Sequence, residues 1–419
     1  MYQTSGELPC EIADVVFLLN LYVRRKGSVS WDCDCPFCGG RGKLNVNLEK
    51  NVYRCNRCGQ AGGEIGLYAS VLNLDFNTAC NQIKEYLGKH EQAPAYQIYK
   101  TEIKSKTEVV NSKRASDHTL HHTYSTMLSM LTLSETHKKK LLNRGFSEEQ
   151  IEKNGYKSTP VFGFRSLTER LVKAGCTVEG VPGFYQEADG TWSIRFKKSC
   201  AGFLIPVRTI DGYIVGMQIR LDRPFNQTKY IWLSSVSDNM GTGSGSPIHF
   251  VGNPEDETVF MTEGPLKGDL AHYLSGRTFA CVPGVNQYAN LPELILKLKK
   301  RGVKLIYETY DMDKLLNVVC QADYNEKCAE CEFRKEKGKH QCLKKIEKRT
   351  HIQNGCKKLY SICHDLLVIC KQFVWDLDER GNWAGNLKGI DDWLLDLEGK
   401  KSDNNECKKL KNNPVHDKS

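Results

Sequence analysis

The chain has 419 residues, with 59 Lys and Arg against 50 Asp and Glu and a formal net charge of +9. This length predicts two or three domains, and clusters of basic residues favour a polyanion as partner. The apolar run at 13–23 is interrupted by Asn20 and is too short to span a bilayer, and no signal peptide follows Met1. We therefore expect a soluble, cytoplasmic protein whose 18 cysteines bind metals or stay free thiols.

The amino-terminal part contains a cysteine module between two predicted helices. Residues 8–26 have the pattern of an amphipathic helix, and residues 76–87 that of a second helix. Between them, residues 44–48 and 51–54 predict the two strands of a hairpin. Residues 89–117 are polar and without periodicity, which predicts a linker.

The cysteine module has the spacing of a zinc site. Cys35 and Cys38 form one CxxC pair, Cys55 and Cys58 form another, and sixteen residues separate the pairs. Four thiolates fill a tetrahedral zinc and leave no position for an activated water, so the sequence predicts a structural zinc. The module either contacts DNA or serves only to stabilise the fold. The residues that favour DNA contact are basic or aromatic: Arg41, Lys43, Arg54, Arg57, Trp31, Phe37 and Tyr53.

The middle of the chain changes from helical to strand patterns. Residues 126–156 predict two helices, with Gly145 ending the first and a capping box of Ser147 and Gln150 starting the second. Residues 202–208 and 213–220 predict an antiparallel hairpin that turns at Asp211-Gly212.

Strands and helices then alternate, which predicts a parallel sheet flanked by helices. The strands are expected at 258–262, 278–282, 303–310 and 372–375, with helices at 265–274 and 291–301. We therefore expect an α/β fold, α+β overall, made of a zinc ribbon and a mixed core with a parallel-sheet subdomain. The predicted division is a zinc domain (1–88), a linker (89–117), the first half of the core (118–256), the parallel-sheet subdomain (257–396) and a charged tail (397–419).

Acidic residues follow two strands of the predicted parallel sheet. Glu263 ends one strand, and Asp311 and Asp313 follow another. Ligands of such sheets bind at the carboxyl ends of the strands, and carboxylates with phosphate oxygens suit Mg²⁺. Taken alone, these acids are equally consistent with helix caps.

Several segments resemble DnaG-type bacterial primases. Residues 21–25, 35–39 and 53–63 look like the zinc-binding domain of that family, which usually has His at the position of Cys38. Residues 259–264 and 311–313 resemble its Toprim fold. The resemblance implies that Glu263 is the acid-base group, that Asp311 and Asp313 bind metal and that Asp391, in the acidic turn 388–392, supports them.

The middle segments 203–208, 216–220 and 229–234 resemble the half of the primase core that precedes Toprim. The resemblance makes Arg220 and Lys229 candidates for binding template or triphosphate, and Arg208 and Lys267 complete that set. Asp269 lies six residues after Glu263, where the family commonly has a spacing of four. Metal geometry is therefore expected to differ in detail.

The resemblance implies a primase that synthesises short primers on single-stranded DNA from nucleoside triphosphates, with Mg²⁺ or Mn²⁺ and a replicative helicase in trans. The pattern is closest to primase-like proteins of mobile elements. Two alternatives stay open: a Toprim-type nuclease, which needs no nucleoside triphosphates, and a non-catalytic nucleic-acid-binding adaptor.

A second group of cysteines lies between residues 320 and 370. Cys328, Cys331 and Cys342, with His340 or Cys356, have spacings that can bind a second zinc or an iron–sulfur cluster. Cysteines buried in helices without any metal are the alternative.

Overall fold

The computed structural model describes residues 10–72, 74–90, 111–196, 201–225, 228–322, 324–379 and 381–403. They form two compact units, one of residues up to Asn111 with Ser237–Met240, the other of Ser112–Val236 and the residues from Gly241 onwards. Most of the predicted linker and of the charged tail lies outside the described residues, and the predicted domain boundaries stay predictions. A helix long and apolar enough to cross a membrane does not occur in the described ranges.

In residues 10–72 and 74–90, the first unit consists of an antiparallel sheet of five strands that pair in chain order, and of three helices. Its apolar cluster joins α1 and α2 to the inner face of the sheet through residues such as Val15, Trp31 and Leu67. The elements are α1 (Ile12–Leu18), β1 (Val23–Lys26), β2 (Ser30–Cys33), β3 (Leu44–Asn47), β4 (Val52–Cys55), β5 (Ala61–Gly63), α2 (Glu64–Leu72) and α3 (Phe76–His90).

The predicted helix at 8–26 is wrong beyond Leu18. Asn20 has a φ of 48°, in the left-handed region that a helix cannot continue through. The chain then forms β1, an edge strand with mostly exposed side chains that pairs with β2. The hairpin of β3 and β4 and the helix after residue 76 are confirmed.

The second unit begins with helices packed on an antiparallel sheet of order β11-β10-β9-β6. The predicted hairpin is confirmed as β9 and β10. The elements are α4 (Asp117–Ser129), α5 (Glu135–Leu142), α6 (Glu148–Asn154), β6 (Lys157–Ser158), α7 (Phe164–Lys173), β7 (Phe184–Gln186), β8 (Trp192–Ile194), β9 (Gly202–Arg208), β10 (Ile214–Phe225) and β11 (Thr228–Trp232).

Residues 126–156 contain the end of α4 followed by α5 and α6, where two helices were predicted. The first break comes at Ser129, and Ser134 then caps α5 by accepting a hydrogen bond from the backbone N–H of His137. The capping box of Ser147 and Gln150 is confirmed at the start of α6.

The unit continues with a five-stranded sheet of order β12-β14-β13-β15-β16, in which β12 is antiparallel and the other four are parallel. The α/β fold class is thereby confirmed. The last strand begins at Ile369, three residues before its predicted start. The elements are β12 (His249–Val251), β13 (Thr258–Glu263), α8 (Pro265–Ser275), β14 (Phe279–Val282), α9 (Leu291–Lys300), β15 (Leu305–Glu308), α10 (Leu343–Asp365), β16 (Ile369–Gln372) and α11 (Ile390–Asp403).

Alternate side chains of β13 enter two apolar clusters, one on each face of the sheet. Val259 and Met261 pack in the cluster that contains α9 and α10, whereas Phe260 packs in the cluster with Trp375 and Ile390. Both faces are therefore covered, and only the two end residues of β13, Thr258 and Glu263, are partly exposed.

A buried polar network joins this sheet to the first half of the unit. Asp269 accepts a hydrogen bond from the hydroxyl of Tyr156 at 2.7 Å and lies 2.9 Å from Nε2 of His249. The backbone N–H of Arg208 donates to Nδ1 of the same histidine at 3.0 Å. Asp269 is thus a structural anchor on the buried side of α8.

Candidate metal centres

The four predicted zinc ligands lie together. The Sγ atoms of Cys35, Cys38, Cys55 and Cys58 all lie within 4.8 Å of one another. The Cys35–Cys58 and Cys38–Cys55 sulfur distances are both 3.8 Å. Four thiolates bonded to zinc at about 2.3 Å stand about 3.8 Å apart in a tetrahedron, so the donor set fits zinc.

Tight turns bring each cysteine pair to this position. Gly39 and Gly59 have φ angles of 64° and 78°, which a glycine adopts without strain. Their N–H groups donate to the carbonyls of Cys35 and Cys55 at 2.9 and 3.0 Å. The N–H groups of Arg57 and Cys58 point at the sulfur of Cys55, at 3.3 and 3.4 Å, and stabilise it as a thiolate.

Part of the set proposed for DNA contact is buried. Trp31 and Tyr53 are only 2% and 3% exposed, because both pack in the core of the first unit, so their rings cannot stack on bases. Tyr22, which was not singled out, is 64% exposed and has the guanidinium of Arg24 at 4.5 Å from its ring centroid. The basic side chains are exposed: Arg41, Lys43, Arg54 and Arg57.

The predicted acids meet at the carboxyl end of the parallel sheet. β13 and β15 are neighbours whose register pairs Met261 with Glu308, so Glu263 lies beside the residues that follow β15. The N–H of Asp311 donates to Oε1 of Glu263 at 3.4 Å. Asp313 lies two residues further, in the 3₁₀ helix Met312–Leu315.

Lysines from three separate segments lie among these acids. Lys267, in the first turn of α8, forms an ion pair with Asp311. The Nζ of Lys388 is 2.6 Å from Oδ2 of Asp313 and 3.4 Å from Oδ2 of Asp311. Lys348 of α10 reaches Asp313 at 3.6 Å. Only Lys267 had been proposed, as a nucleotide-binding residue.

Asp391, near the start of α11, is the fourth carboxylate of the site. It is 1% exposed, and its Oδ2 accepts a hydrogen bond from Nη2 of Arg144 at 2.8 Å. Its Oδ1 is buried and has no hydrogen-bond partner among the described residues. A buried carboxylate oxygen without a partner is costly, and a bound cation would satisfy it.

The charges change the proton affinities of the acids in opposite directions. Burial and the neighbouring Asp311 raise the pKa of Glu263. Burial opposes the effect at Asp311, but the ammonium groups of Lys267 and Lys388 lower the pKa of that carboxyl. Glu263 is thereby the acid of this pair that binds a proton more readily.

The donors at this edge are hard oxygen atoms, which suit Mg²⁺ or Mn²⁺. These oxygen atoms lie further apart than the sulfurs of the zinc site. Within the described ranges, only the four cysteines form a group of three or more ligand atoms that all lie within 4.8 Å of one another. Four cations, Lys267, Lys348, Lys388 and Arg144, balance the four carboxylates. Binding of a divalent ion would free these cations for other anions.

A buried ion pair fixes the loop that carries Asp311 and Asp313. Both oxygens of Glu308, the last residue of β15, accept hydrogen bonds from Nζ of Lys314, at 2.8 and 3.0 Å. Lys314 also donates to the carbonyl of Phe373 at 3.1 Å, and Tyr360 donates to Glu308 at 2.8 Å. The residues between Glu308 and Lys314 are therefore closed into a short loop. Spacing alone did not point to this pair.

The other basic candidates lie in the first half of the unit. The guanidinium of Arg220 is 4.9 Å from the ring centroid of Tyr230, whose ring packs against the apolar cluster that includes Leu266 of α8. Lys229 is exposed on β11. Arg208 donates to the carbonyl of Asn154 at 3.0 Å, and its backbone bonds His249, so it is engaged within the fold.

The second cysteine group is brought together in part. Cys328, Cys331, His340 and Cys342 line one cavity, together with Cys320, which had not been proposed as a ligand. Cys356 is elsewhere, in the apolar core on α10, so the alternative that included it is wrong.

The comparisons with known proteins identify the first unit. Residues 8–97 match the family model of the DnaG zinc ribbon, described as the CHC2 zinc finger. The chain carries a CHC2 zinc finger. Its predicted resemblance to DnaG-type primases is thereby confirmed in this region, and the Cys35/Cys38/Cys55/Cys58 cluster is the metal-binding part of the CHC2 zinc finger.

Solved primase structures align with much more of the chain. The zinc-binding and RNA polymerase domains of the Aquifex aeolicus primase are 14% identical, with 94% of this chain and 82% of that chain covered and a TM-score of 0.43. The RNA polymerase domain of Mycobacterium tuberculosis primase DnaG is 16% identical over 59% of this chain and 87% of that chain, with a TM-score of 0.36. The comparison with curated proteins gave no match.

Proposed function

We propose that this protein is a DNA primase that joins nucleoside triphosphates into short primers on single-stranded DNA. The observation that carries the proposal is the meeting of Glu263, Asp311 and Asp313 at one sheet edge, with Asp391 near Lys267, in a chain that also carries a CHC2 zinc finger. A divalent ion held by these carboxylates would offset the charge that develops on the attacking and leaving oxygens.

The residues of the site divide into two roles. Glu263 has a raised pKa, and we assign it to accept the proton of the attacking 3′-hydroxyl. We assign the three lysines Lys267, Lys348 and Lys388 to binding the triphosphate. Their partners Asp311 and Asp313 would bind the divalent ion, which would leave the lysines free to pair with phosphate oxygens. Arg220 and Lys229 stay candidates for binding the template strand. The exposed cations of the CHC2 zinc finger are candidates for binding single-stranded regions of that template.

The test is a primer-synthesis assay with Asp311→Asn. Single-stranded DNA, labelled nucleoside triphosphates and Mg²⁺ or Mn²⁺ should give short labelled products with the wild-type chain and none with the variant. The matched control is Asp365→Asn, because this carboxylate is 71% exposed and lies at the far end of α10. Full synthesis by Asp311→Asn would remove the acids from the mechanism.

The same gel separates the alternatives. A Toprim-type nuclease would shorten a labelled DNA strand without nucleoside triphosphates, and Asp311→Asn would stop the shortening. A non-catalytic adaptor would bind DNA without incorporating nucleotides, and its binding would survive loss of Glu263. A replicative helicase acting in trans and a mobile-element origin stay predictions.

A further inference from the structure

The segment 316–342 is an insert between the loop of Asp311 and Asp313 and helix α10, and it contains four cysteines. Its described residues form two 3₁₀ helices, Glu326–Glu330 and Glu332–Glu336, and an isolated bridge between Val319 and Gln341. None of these described residues belongs to the five apolar clusters of the protein. A segment that shares in no apolar cluster commonly depends on a metal or on disulfides for its structure.

Backbone hydrogen bonds pair the two ends of the insert, and each end carries one cysteine. The N–H of Cys320 donates to the carbonyl of His340 at 2.9 Å, and the N–H of Cys342 donates to the carbonyl of Val318 at 2.7 Å. Cys328 and Cys331 lie in the short helical region between these two ends. The fold therefore arranges the four cysteines around one space.

That space is a cavity of about 680 Å³, and all four cysteines line it. Cys320 and Cys328 are only 5% and 7% exposed, and all four are free of disulfides. The rest of the wall includes the apolar residues Ala322, Phe333 and Leu343. Four cysteines around a partly apolar cavity are a donor set for a soft metal.

A single zinc and an iron–sulfur cluster require different spacings of the four sulfurs. In the CHC2 zinc finger the four sulfurs stand within 4.8 Å of one another, as a single zinc requires. No three ligand atoms of the insert reach that spacing among the described residues. In a cubane cluster each thiolate binds a different iron, so its sulfurs are further apart than around one zinc.

We propose that Cys320, Cys328, Cys331 and Cys342 bind an iron–sulfur cluster. The centre lies at the start of α10, whose Arg349 donates to the carbonyl of Leu316 at 3.4 Å and whose Gln353 donates to the carbonyl of Lys314 at 2.9 Å. The same helix carries Lys348, which reaches Asp313. The cluster would thus order the insert, which leads into the helix α10 that carries Lys348 to the acidic site.

The test measures metals in the full chain, purified without oxygen and then supplied with ferric iron, sulfide and a thiol that reduces part of the iron. Wild-type protein should contain one zinc and about four irons and four sulfides per chain, with visible charge-transfer absorption. The double variant Cys328→Ser/Cys331→Ser should lose iron, sulfide and colour but keep its zinc and the thermal unfolding transitions of both units. Cys370→Ser is the matched control, because Cys370 is half-buried in the same unit but does not line the cavity, and it should retain all metals.

Three results would overturn the proposal: two zincs without iron, one zinc without any second metal after reconstitution, or iron that the double variant retains. The first would make the insert a second zinc site. The second would leave its cysteines as free thiols. The zinc content of the variant shows in each case whether the first unit has folded, and its thermal unfolding shows whether the second unit has folded.

Discussion

At the scale of single residues, Glu308 and Lys314 form the least exposed of the described ion pairs. Their side chains are 0% and 1% exposed. Every oxygen of Glu308 and the ammonium of Lys314 have partners, which include a backbone carbonyl. Such pairs contribute little net stability compared with apolar residues, but breaking one leaves a buried charge alone. The pair therefore makes the geometry of the Asp311 loop strongly dependent on both partners.

Replacing Lys314 by Met should reduce the free energy of unfolding of the second unit by about 3–5 kcal/mol, because the carboxylate of Glu308 would stay buried without its cation. The measurement is urea denaturation followed by circular dichroism. Lys304→Met is the control, since Lys304 pairs with Glu257 on the surface, where both side chains are more than half exposed. That change should cost less than about 1 kcal/mol. Equal costs for the two variants would contradict the role given to burial.

Lys388 offers a second prediction at this scale, which rests on the proposed metal site. Its ammonium is 46% exposed and competes with any divalent ion for Asp311 and Asp313. Lys388→Met should tighten Mn²⁺ binding in the absence of nucleotide by about two- to five-fold, as expected for loss of a pair worth roughly 0.5–1 kcal/mol. Calorimetric titration measures the affinity.

Lys348→Met is the comparison for this titration, because Lys348 touches Asp313 from the greater distance of 3.6 Å and should change Mn²⁺ affinity less. Weaker binding by Lys388→Met would show that this lysine supports the metal site. An absence of Mn²⁺ binding in the wild-type chain would argue against the metal site itself.

At the scale of elements, the contact of α8 with β14 fixes the helix that carries Lys267. A methyl group at Gly268 would overlap the sulfur of Cys281, which is fully buried on β14. Gly268→Ala should therefore lower the free energy of unfolding by about 1–3 kcal/mol through overpacking. The sign of this change is informative, because helix propensity alone would make alanine more favourable than glycine by about 1 kcal/mol. Thermal unfolding of the second unit measures the change.

Two variants separate overpacking from helix propensity. A Cβ at Gly399 of α11 would meet no side chain or neighbouring backbone within 4 Å among the described residues, so Gly399→Ala should be neutral or stabilising. Gly268→Ala combined with Cys281→Ala removes the overlapping sulfur and should recover part of the loss. No recovery in this double variant would assign the loss to another cause.

The order of elements in the parallel sheet was predictable because strand and helix periods alternate there with clear stops at Gly276 and Gly302. The meeting of Glu263 with Asp311 followed from the same pattern, since neighbouring parallel strands end at one edge. Arg144 and Lys348 could not be predicted as site residues. Arg144 lies in the turn after α5 and Lys348 in α10, and the positions of both segments depend on tertiary packing. No local pattern distinguishes these two residues from other surface cations.

At the scale of the whole molecule, each of the two units has apolar clusters of its own. One cluster lies wholly within residues 10–83, and the other four lie among residues 115–394. The first cluster includes three of the zinc-binding residues, Cys35, Cys38 and Cys55. Folding of the first unit should thus be coupled to zinc, whose binding to small domains is worth about 10–16 kcal/mol.

Cys55→Ser should therefore unfold the first unit and leave the thermal transition of the second unit unchanged. Trp31 reports on the first unit, because its side chain is 2% exposed and should become solvated when zinc is lost. Calorimetry of the wild-type chain should show two transitions, and the variant should show one. Cys80→Ser is the control, since this half-buried cysteine lies in the same unit outside the zinc cluster and should retain both. A parallel loss of both transitions in Cys55→Ser would show instead that the second unit needs the folded CHC2 zinc finger for its own stability.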